Sequence, residues 1–310
     1  MPPLNLLQPP LQRVEYTPPG QDPIRLQVLR LDQINPLVSG NKWFKLKYNL
    51  QQARTQGQQT LLSFGGAWSN HLYALAAAAR AEGFNSIGVV RGELTDPLNP
   101  VLRCATDNGM LLHPVSRSSY RLKHTPTFLT ELRQHYGDFY LVPEGGSNAA
   151  GLQGCTEIID LIPWDELGQR KYCLVVACGT GTTLAGLLAG VLNRGLSAAV
   201  RLIGVPVLKG GAYLTANVQD SLLEYGFSAK TLAKLDWFLA DEFHGGGYAR
   251  VRPELTRFMA SFSAATTIPL EPVYTGKLFK AVCALMEQGR IDAKSEVIVI
   301  HSGGIIGEKP

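Results

Sequence analysis

The chain has 310 residues, 45% of them apolar and 17% charged, which is the balance of a folded globular protein rather than a disordered one. Its length allows two lobes with separate cores, or one large domain. The formal charge of +4 comes from scattered Lys and Arg, so there is no basic footprint for nucleic acid, and no apolar run nears the roughly 18 residues that cross a bilayer.

The opening MPPLNLLQPPLQ lacks a charged segment followed by an apolar one, so no signal peptide is expected. Five cysteines (Cys104, Cys155, Cys173, Cys178, Cys283) form no C-x-x-C pair and sit among apolar residues. They read as buried free thiols of a reducing, cytoplasmic compartment.

In chain order, strands are expected at 24–31, 60–64, 86–91, 110–114, 139–142, 172–177, 199–205 and 295–301. Between them, helical patterns occupy 42–56, 69–82, 98–108, 148–162, 182–194, 252–263 and 276–289. This alternation implies an α/β fold of parallel sheet with helices on both faces. Glycine pairs at 65–66, 145–146 and 303–304, and the GTG at 179–181, fall at or just past strand ends. Ligands of open α/β sheets gather at that edge.

The first segment with chemical content is Ser39-Gly40-Asn41-Lys42-Trp43-Phe44-Lys45-Leu46. A lysine at a helix start opposes the dipole, which favours anions there. Lys42 is less awkward as an imine, or facing a phosphate; the alternative is a solvated surface lysine. The second is Gly65-Gly66-Ala67-Trp68-Ser69-Asn70-His71. Ser69 can serve as a helix N-cap, or the amides of residues 69–71 can bind a carboxylate.

Cys178-Gly179-Thr180-Gly181-Thr182-Thr183 lies between a strand and a helix, a place for an anion cup of backbone N–H and hydroxyl donors. No Gly-Lys-Ser/Thr follows, which excludes a P-loop, and 196–208 (LSAAVRLIGVPVL) lacks the acidic residue of a dinucleotide site. A single phosphate monoester fits best. Tyr274 and His301 are each open to a plain reading as hydrogen-bonded core residues. No His/Cys/Asp/Glu set has metal-ligand spacing, so no metal is expected.

Taken together, SGNKWFKLKYNL, GGAWSNH, PEGGSNAAG, CGTGTTLAG, PVYTGK and IHSGG resemble the 1-aminocyclopropane-1-carboxylate (ACC) deaminase / D-cysteine desulfhydrase family of pyridoxal-phosphate (PLP) enzymes. The resemblance implies the two-domain fold type II, tryptophan synthase β-like, with a cofactor domain from 1–46 and 149–310 and a smaller domain from 47–148. It implies a homodimer and a small amino-acid substrate. It makes Lys42 the Schiff-base lysine and proton shuttle, and puts Asn70 on the cofactor's phenolic oxygen. Gly179, Thr180, Gly181, Thr182 and Thr183 fall to the phosphate and Ser302 to the pyridine nitrogen. Asn41, Ser69, Asn70 and His71 fall to the substrate, which Tyr274 faces.

The reaction implied is α,β-elimination to a keto acid and ammonia, with D-cysteine or a related β-substituted amino acid as substrate. Racemisation, dehydration, ACC deamination and cofactor binding with weak catalysis are the alternatives. Three positions depart from the family pattern: Thr275 replaces the glutamate of ACC deaminases, Trp68 replaces the glutamine of desulfhydrases, and Phe44 replaces an arginine. Tyr248 falls in a loop that matches only loosely.

Overall fold

The computed structural model describes residues 4–167, 170–211, 213–247, 249–292 and 294–304. Its strands are β1 (Leu11–Tyr16), β2 (Ile24–Leu29), β3 (Thr60–Gly66), β4 (Asn85–Arg91), β5 (Met110–Val115), β6 (Tyr140–Leu141), β7 (Tyr172–Cys178), β8 (Val200–Pro206), β9 (Asp236–Leu239) and β10 (Glu296–Ile300). Its helices are α1 (Asn41–Thr55), α2 (Asn70–Glu82), α3 (Pro100–Asp107), α4 (Arg117–Tyr120), α5 (Pro126–Tyr136), α6 (Ala149–Thr156), α7 (Trp164–Leu167), α8 (Thr182–Asn193), α9 (Tyr213–Glu224), α10 (Ala229–Leu232), α11 (Pro253–Thr266) and α12 (Thr275–Glu287).

Two sheets result. The larger has the order β1-β2-β10-β7-β8-β9, and the smaller β5-β4-β3-β6. All pairings are parallel except β1 with β2. The expected α/β class with parallel sheets between helices is what the chain forms.

Every residue of β7 (YCLVVAC) is buried, as an unbroken apolar run in a doubly covered strand should be. Alternate side chains serve opposite cores. Leu174 and Val176 pack with Leu184, Leu187 and Leu188 of α8. Cys173, Val175 and Ala177 pack with Leu278, Val282 and Leu285 of α12. Phe279, 1% exposed, fills that second core, and its truncation to Ala is expected to cost about 3–5 kcal/mol.

The smaller sheet is built the same way. Leu61 meets Leu46 and Leu50 of α1 and Leu72 and Leu75 of α2. Leu62, Phe64, Ile87 and Val89 face Tyr120 and Leu132. Helix α1 belongs to both cores, because Phe44 joins the larger one while Leu46, Leu50 and Ala53 join the smaller. Phe44 is therefore a packing residue of the larger core.

Four glycine turns close β3, β6, β7 and β10, and these carboxyl ends face each other across the seam between the sheets. A β-carbon on Gly145 would stand 3.4 Å from Thr180 Cγ2, and one on Gly304 would stand 2.7 Å from Asn70 Nδ2. The seam is where chemistry can collect. No described helix is long and apolar enough to cross a membrane.

Candidate active site

Lys42 is the second residue of α1, and its position depends on Gly40 just before it. Gly40 has φ +71°, and a β-carbon there would lie 1.9 Å from the carbonyl oxygen of Ser302. Only glycine allows that crossing. Asn41 N–H donates to the same carbonyl at 3.2 Å, which ties the start of α1 to the turn after β10. Lys42 Nζ, partly buried, donates to Asn41 Oδ1 at 2.7 Å, and Asn41 Nδ2 donates to Thr183 Oγ1 at 2.8 Å. Asn41, expected to touch substrate, is thus engaged at both ends of its amide by the protein.

Burial, and next the charge of Lys45, lower the Lys42 amine from 10.5 to about 7; Cys155 and Glu271 oppose this weakly. A neutral amine at physiological pH is a nucleophile and a base, which an ordinary lysine is not.

The turn from β7 into α8 makes the cup. Gly181 caps α8 in the left-handed region with no side-chain cap, so the first amides of that helix are open donors. Three hydroxyls surround it: Thr182 Oγ1 lies 2.7 Å from Ser147 Oγ and 3.1 Å from Thr180 Oγ1. Lys45, buried to 5% exposure, reaches Thr180 Oγ1 at 3.5 Å. No described carboxylate pairs with it, and burial lowers its pKa. A buried ammonium aimed at a helix N-terminus is electrostatically unfavourable until an anion lies between them.

Ser69 is the N-cap of α2, its Oγ accepting from Leu72 N at 3.3 Å. A β-carbon on Gly65 would lie 2.5 Å from that oxygen, so this turn also needs glycine. The cap leaves the amides of Asn70 and His71 without intrahelical acceptors, pointing where an anion would sit. Capping and carboxylate binding are compatible, since the Ser69 hydroxyl still has its own proton. The Asn70 side chain has no partner among the described residues. His71 is buried, its Nε2 2.8 Å from Ser63 Oγ and its Nδ1 unpartnered. Burial, then Lys42 and Lys45, push its pKa down to about 3, so it is neutral.

Tyr274 leans over Gly179, its Oη 3.5 Å and Cε1 3.4 Å from where a β-carbon there would be. Glu271 holds this turn: its carboxylate accepts from the backbone N–H of Val273, Tyr274 and Thr275 at 2.7–2.8 Å. Thr275 is fully buried, its hydroxyl turned back on Glu271, so that position offers nothing to a ligand. Ser302 is buried beside Gly40. His301 is a hydrogen-bonded core histidine, with Nε2 2.8 Å from Pro269 O and Nδ1 accepting from Gly303 N. Lys277 donates to Gly247 O at 2.6 Å and is structural. Trp68 is 62% exposed on the turn before Ser69. Tyr248 lies outside the described residues.

The sequence-derived residues Asn41, Lys42, Ser69, Asn70, His71, Gly179 to Thr183, Tyr274 and Ser302 therefore converge on one seam. Sequence reasoning missed Lys45, Ser147 and Glu271. Lys45 carried a usable signal, standing three residues after Lys42 and hence on the same helix face. A phosphate-bearing aldehyde fits what is present: an open helix N-terminus with hydroxyls and an unpaired buried cation for the phosphate, and a neutral amine for the aldehyde.

A parallel α/β fold with an anion cup at its strand ends and, beside it, a lysine that titrates near neutrality is the arrangement that a phosphorylated aldehyde cofactor needs. Residues 11–303 match the family described as pyridoxal-phosphate dependent enzyme. The chain belongs to that family, and pyridoxal phosphate is its cofactor. Among named relatives is a Thermotoga maritima protein provisionally called a 1-aminocyclopropane-1-carboxylate deaminase, 31% identical across 90% of this chain and 88% of that one. A D-cysteine desulfhydrase of Klebsiella pneumoniae is 28% identical, covering 94% and 90% respectively. A crystal structure of an ACC deaminase homologue superposes with a TM-score of 0.82 at 25% identity, over 99% of this chain and 92% of that one.

Proposed function

We propose that this protein is a lyase/deaminase that releases keto acid and ammonia from a small amino acid, D-cysteine or another β-substituted amino acid first among them. The observation that carries the proposal is the Lys42 amine, joined through Asn41 to the phosphate cup and with its pKa lowered to about 7 by burial.

In this reading Lys42 is the covalent attachment point for the cofactor's aldehyde. Thr180 to Thr183 and Lys45 hold its phosphate, Asn70 its phenolic oxygen, and Ser302 faces its ring nitrogen. When bound, pyridoxal phosphate supplies an aldehyde for the substrate amine and a ring that absorbs negative charge at the α-carbon. Ser69 and the amides of Asn70 and His71 grip the substrate carboxylate at the start of α2. The Lys42 amine, once free, takes the α-proton as a base of suitable pKa. The bond from the β-carbon to its substituent breaks, the electron pair leaving with the substituent. One water is taken up, and one keto acid and one ammonia leave. Tyr274 stands over the cup side of the substrate. Asn41 orients the lysine through its two amide hydrogen bonds.

The division into a lobe from 1–46 and 149–310 and a lobe from 47–148 is part of this proposal. The two separate sheets and the passage of α1 between their cores support it. A homodimer and a cytoplasmic location complete it.

ACC ring opening is the second reading. Relatives named for ACC deamination support it, while Thr275, at the position of the ACC deaminases' glutamate, counts against it. The test is keto acid and ammonia released from D- and L-amino acids and ACC, with borohydride reduction and peptide mapping alongside. The expected label is on Lys42, and Lys42→Ala should abolish turnover. A label on Lys45 or Lys277 would overturn the assignment. Cofactor binding with no product from any amino acid would favour a binding protein.

A further inference from the structure

We propose that Arg91 is a specificity-determining residue that recognises an anionic group on the substrate's side chain. The inference rests on the reading that the substrate α-carboxylate lies at Ser69. Arg91 ends β4, directly opposite Gly66 at the end of β3. The side-chain direction of Gly66 meets only its guanidinium, with Nη2 3.5 Å from where a β-carbon would be. The carbonyl of that same Gly66 accepts from Ser69 N at 3.0 Å. One three-residue turn thus separates the guanidinium from the amides assigned to the α-carboxylate.

The charge around Arg91 is incomplete. Its guanidinium carbon lies 5.7 Å from the centroid of the Tyr120 ring, and Lys123 Nζ lies 4.8 Å from the same ring. Lys123 has a carboxylate, Glu144, at 3.4 Å. Arg91 has no ion pair or hydrogen bond among the described residues. Two cations share one aromatic mount with a single counter-charge between them. Placing an anion beside Arg91 restores the balance.

The site is also continuous with the rest of the seam. Glu144 precedes Gly145, which abuts Thr180 of the cup. Trp68, exposed one residue before Ser69, offers an apolar wall on the Ser69 side. The substrate class that fits is a short amino acid with a second negative charge, including one whose β-substituent departs as an anion such as phosphate.

The test uses the holoenzyme with both enantiomers of O-phosphoserine and of O-acetylserine, read as keto acid released. The expected result is a preference for the phosphorylated substrate that lies mainly in KM. Arg91→Ala should lower the ratio of kcat/KM, phosphorylated over acetylated, roughly tenfold, with Arg91→Lys intermediate. Raising the salt to about 1 M should narrow the wild-type preference, since the guanidinium is solvent-exposed. Independently of turnover, succinate should perturb the visible spectrum at lower concentration than propionate does, and Arg91→Ala should remove that difference. Arg91→Gln replaces the alanine variant should the latter not fold.

An unchanged substrate ratio in the variant overturns the proposal even where turnover is normal. Equal binding of succinate and propionate by the wild type also overturns it. If no amino acid is turned over, the function proposed above fails, and the dicarboxylate comparison still decides on Arg91.

Discussion

The amide of Asn41 joins Lys42 to the phosphate cup, accepting from Nζ at 2.7 Å and donating to Thr183 Oγ1 at 2.8 Å. This is a positioning contact, and it can be separated from the amine it positions. Asn41→Asp puts a carboxylate against Nζ, which favours the ammonium. The pH at which the apoprotein captures pyridoxal phosphate at half its maximal rate should rise by about one unit or more. Asn41→Ala should slow capture without that shift. Stopped-flow absorbance of the bound cofactor reads both.

In the wild type the same measurement gives the sign of the Lys42 perturbation. Burial and Lys45 bring the amine to about 7, so it is protonated and unreactive below that pH and free above it. The capture rate should climb through about pH 7 and level off. A rate still climbing through pH 9 would show that the amine is not desolvated.

Lys45 gives two effects of opposite direction. Lys45→Met removes a buried charge that the apoprotein leaves unpaired, so the apoprotein should resist urea better than wild type. It should also bind pyridoxal phosphate about tenfold to a hundredfold more weakly, while pyridoxal, lacking the phosphate, loses much less.

Much of this arrangement could be read before the fold was known, and the failures have physical causes. The strands of the two cores were legible because β3 and β7 are largely buried apolar runs that end at glycine, and β8 is an apolar run broken only by Arg201. Strand β1 was missed because it is an antiparallel edge carrying polar Gln12 and charged Arg13 and Glu15, which suit solvent rather than a core. Helix α9 shows Leu214, Val218 and Leu222 on one face, a four-residue spacing that the sequence did carry. Phe44, noted in the sequence only as replacing an arginine, stands two positions after Lys42, about half-way round the helix, so its ring enters the larger core. Glu271 was illegible because its role lies in folding back on Val273, Tyr274 and Thr275, a local shape with no periodicity.

Gly40 tolerates no side chain. Gly40→Ala must relieve both a φ of +71° and the 1.9 Å approach to Ser302 O. The expected loss is about 2 kcal/mol or more in urea unfolding, with cofactor capture impaired beyond what stability accounts for.

His71 gives the protein an acid-sensitive interior. The unfolded chain takes up a proton there near pH 6.5, the folded chain only near 3. Between these values acid favours unfolding, and the contribution is fully present above 6.5. Replacing His71 with Leu should flatten the fall in the urea midpoint between pH 6.5 and pH 4, whatever its effect at pH 7.

Among the described residues β10 is the last strand in sequence but sits in the middle of its sheet, between β2 and β7, and the turn after it supplies the carbonyl that Gly40 packs against and to which Asn41 N–H donates. A nascent chain halted before Glu296 has neither the central ladder nor the perch for Lys42. Vitamin loading should therefore wait until translation has delivered β10, and a polypeptide halted before it should remain colourless.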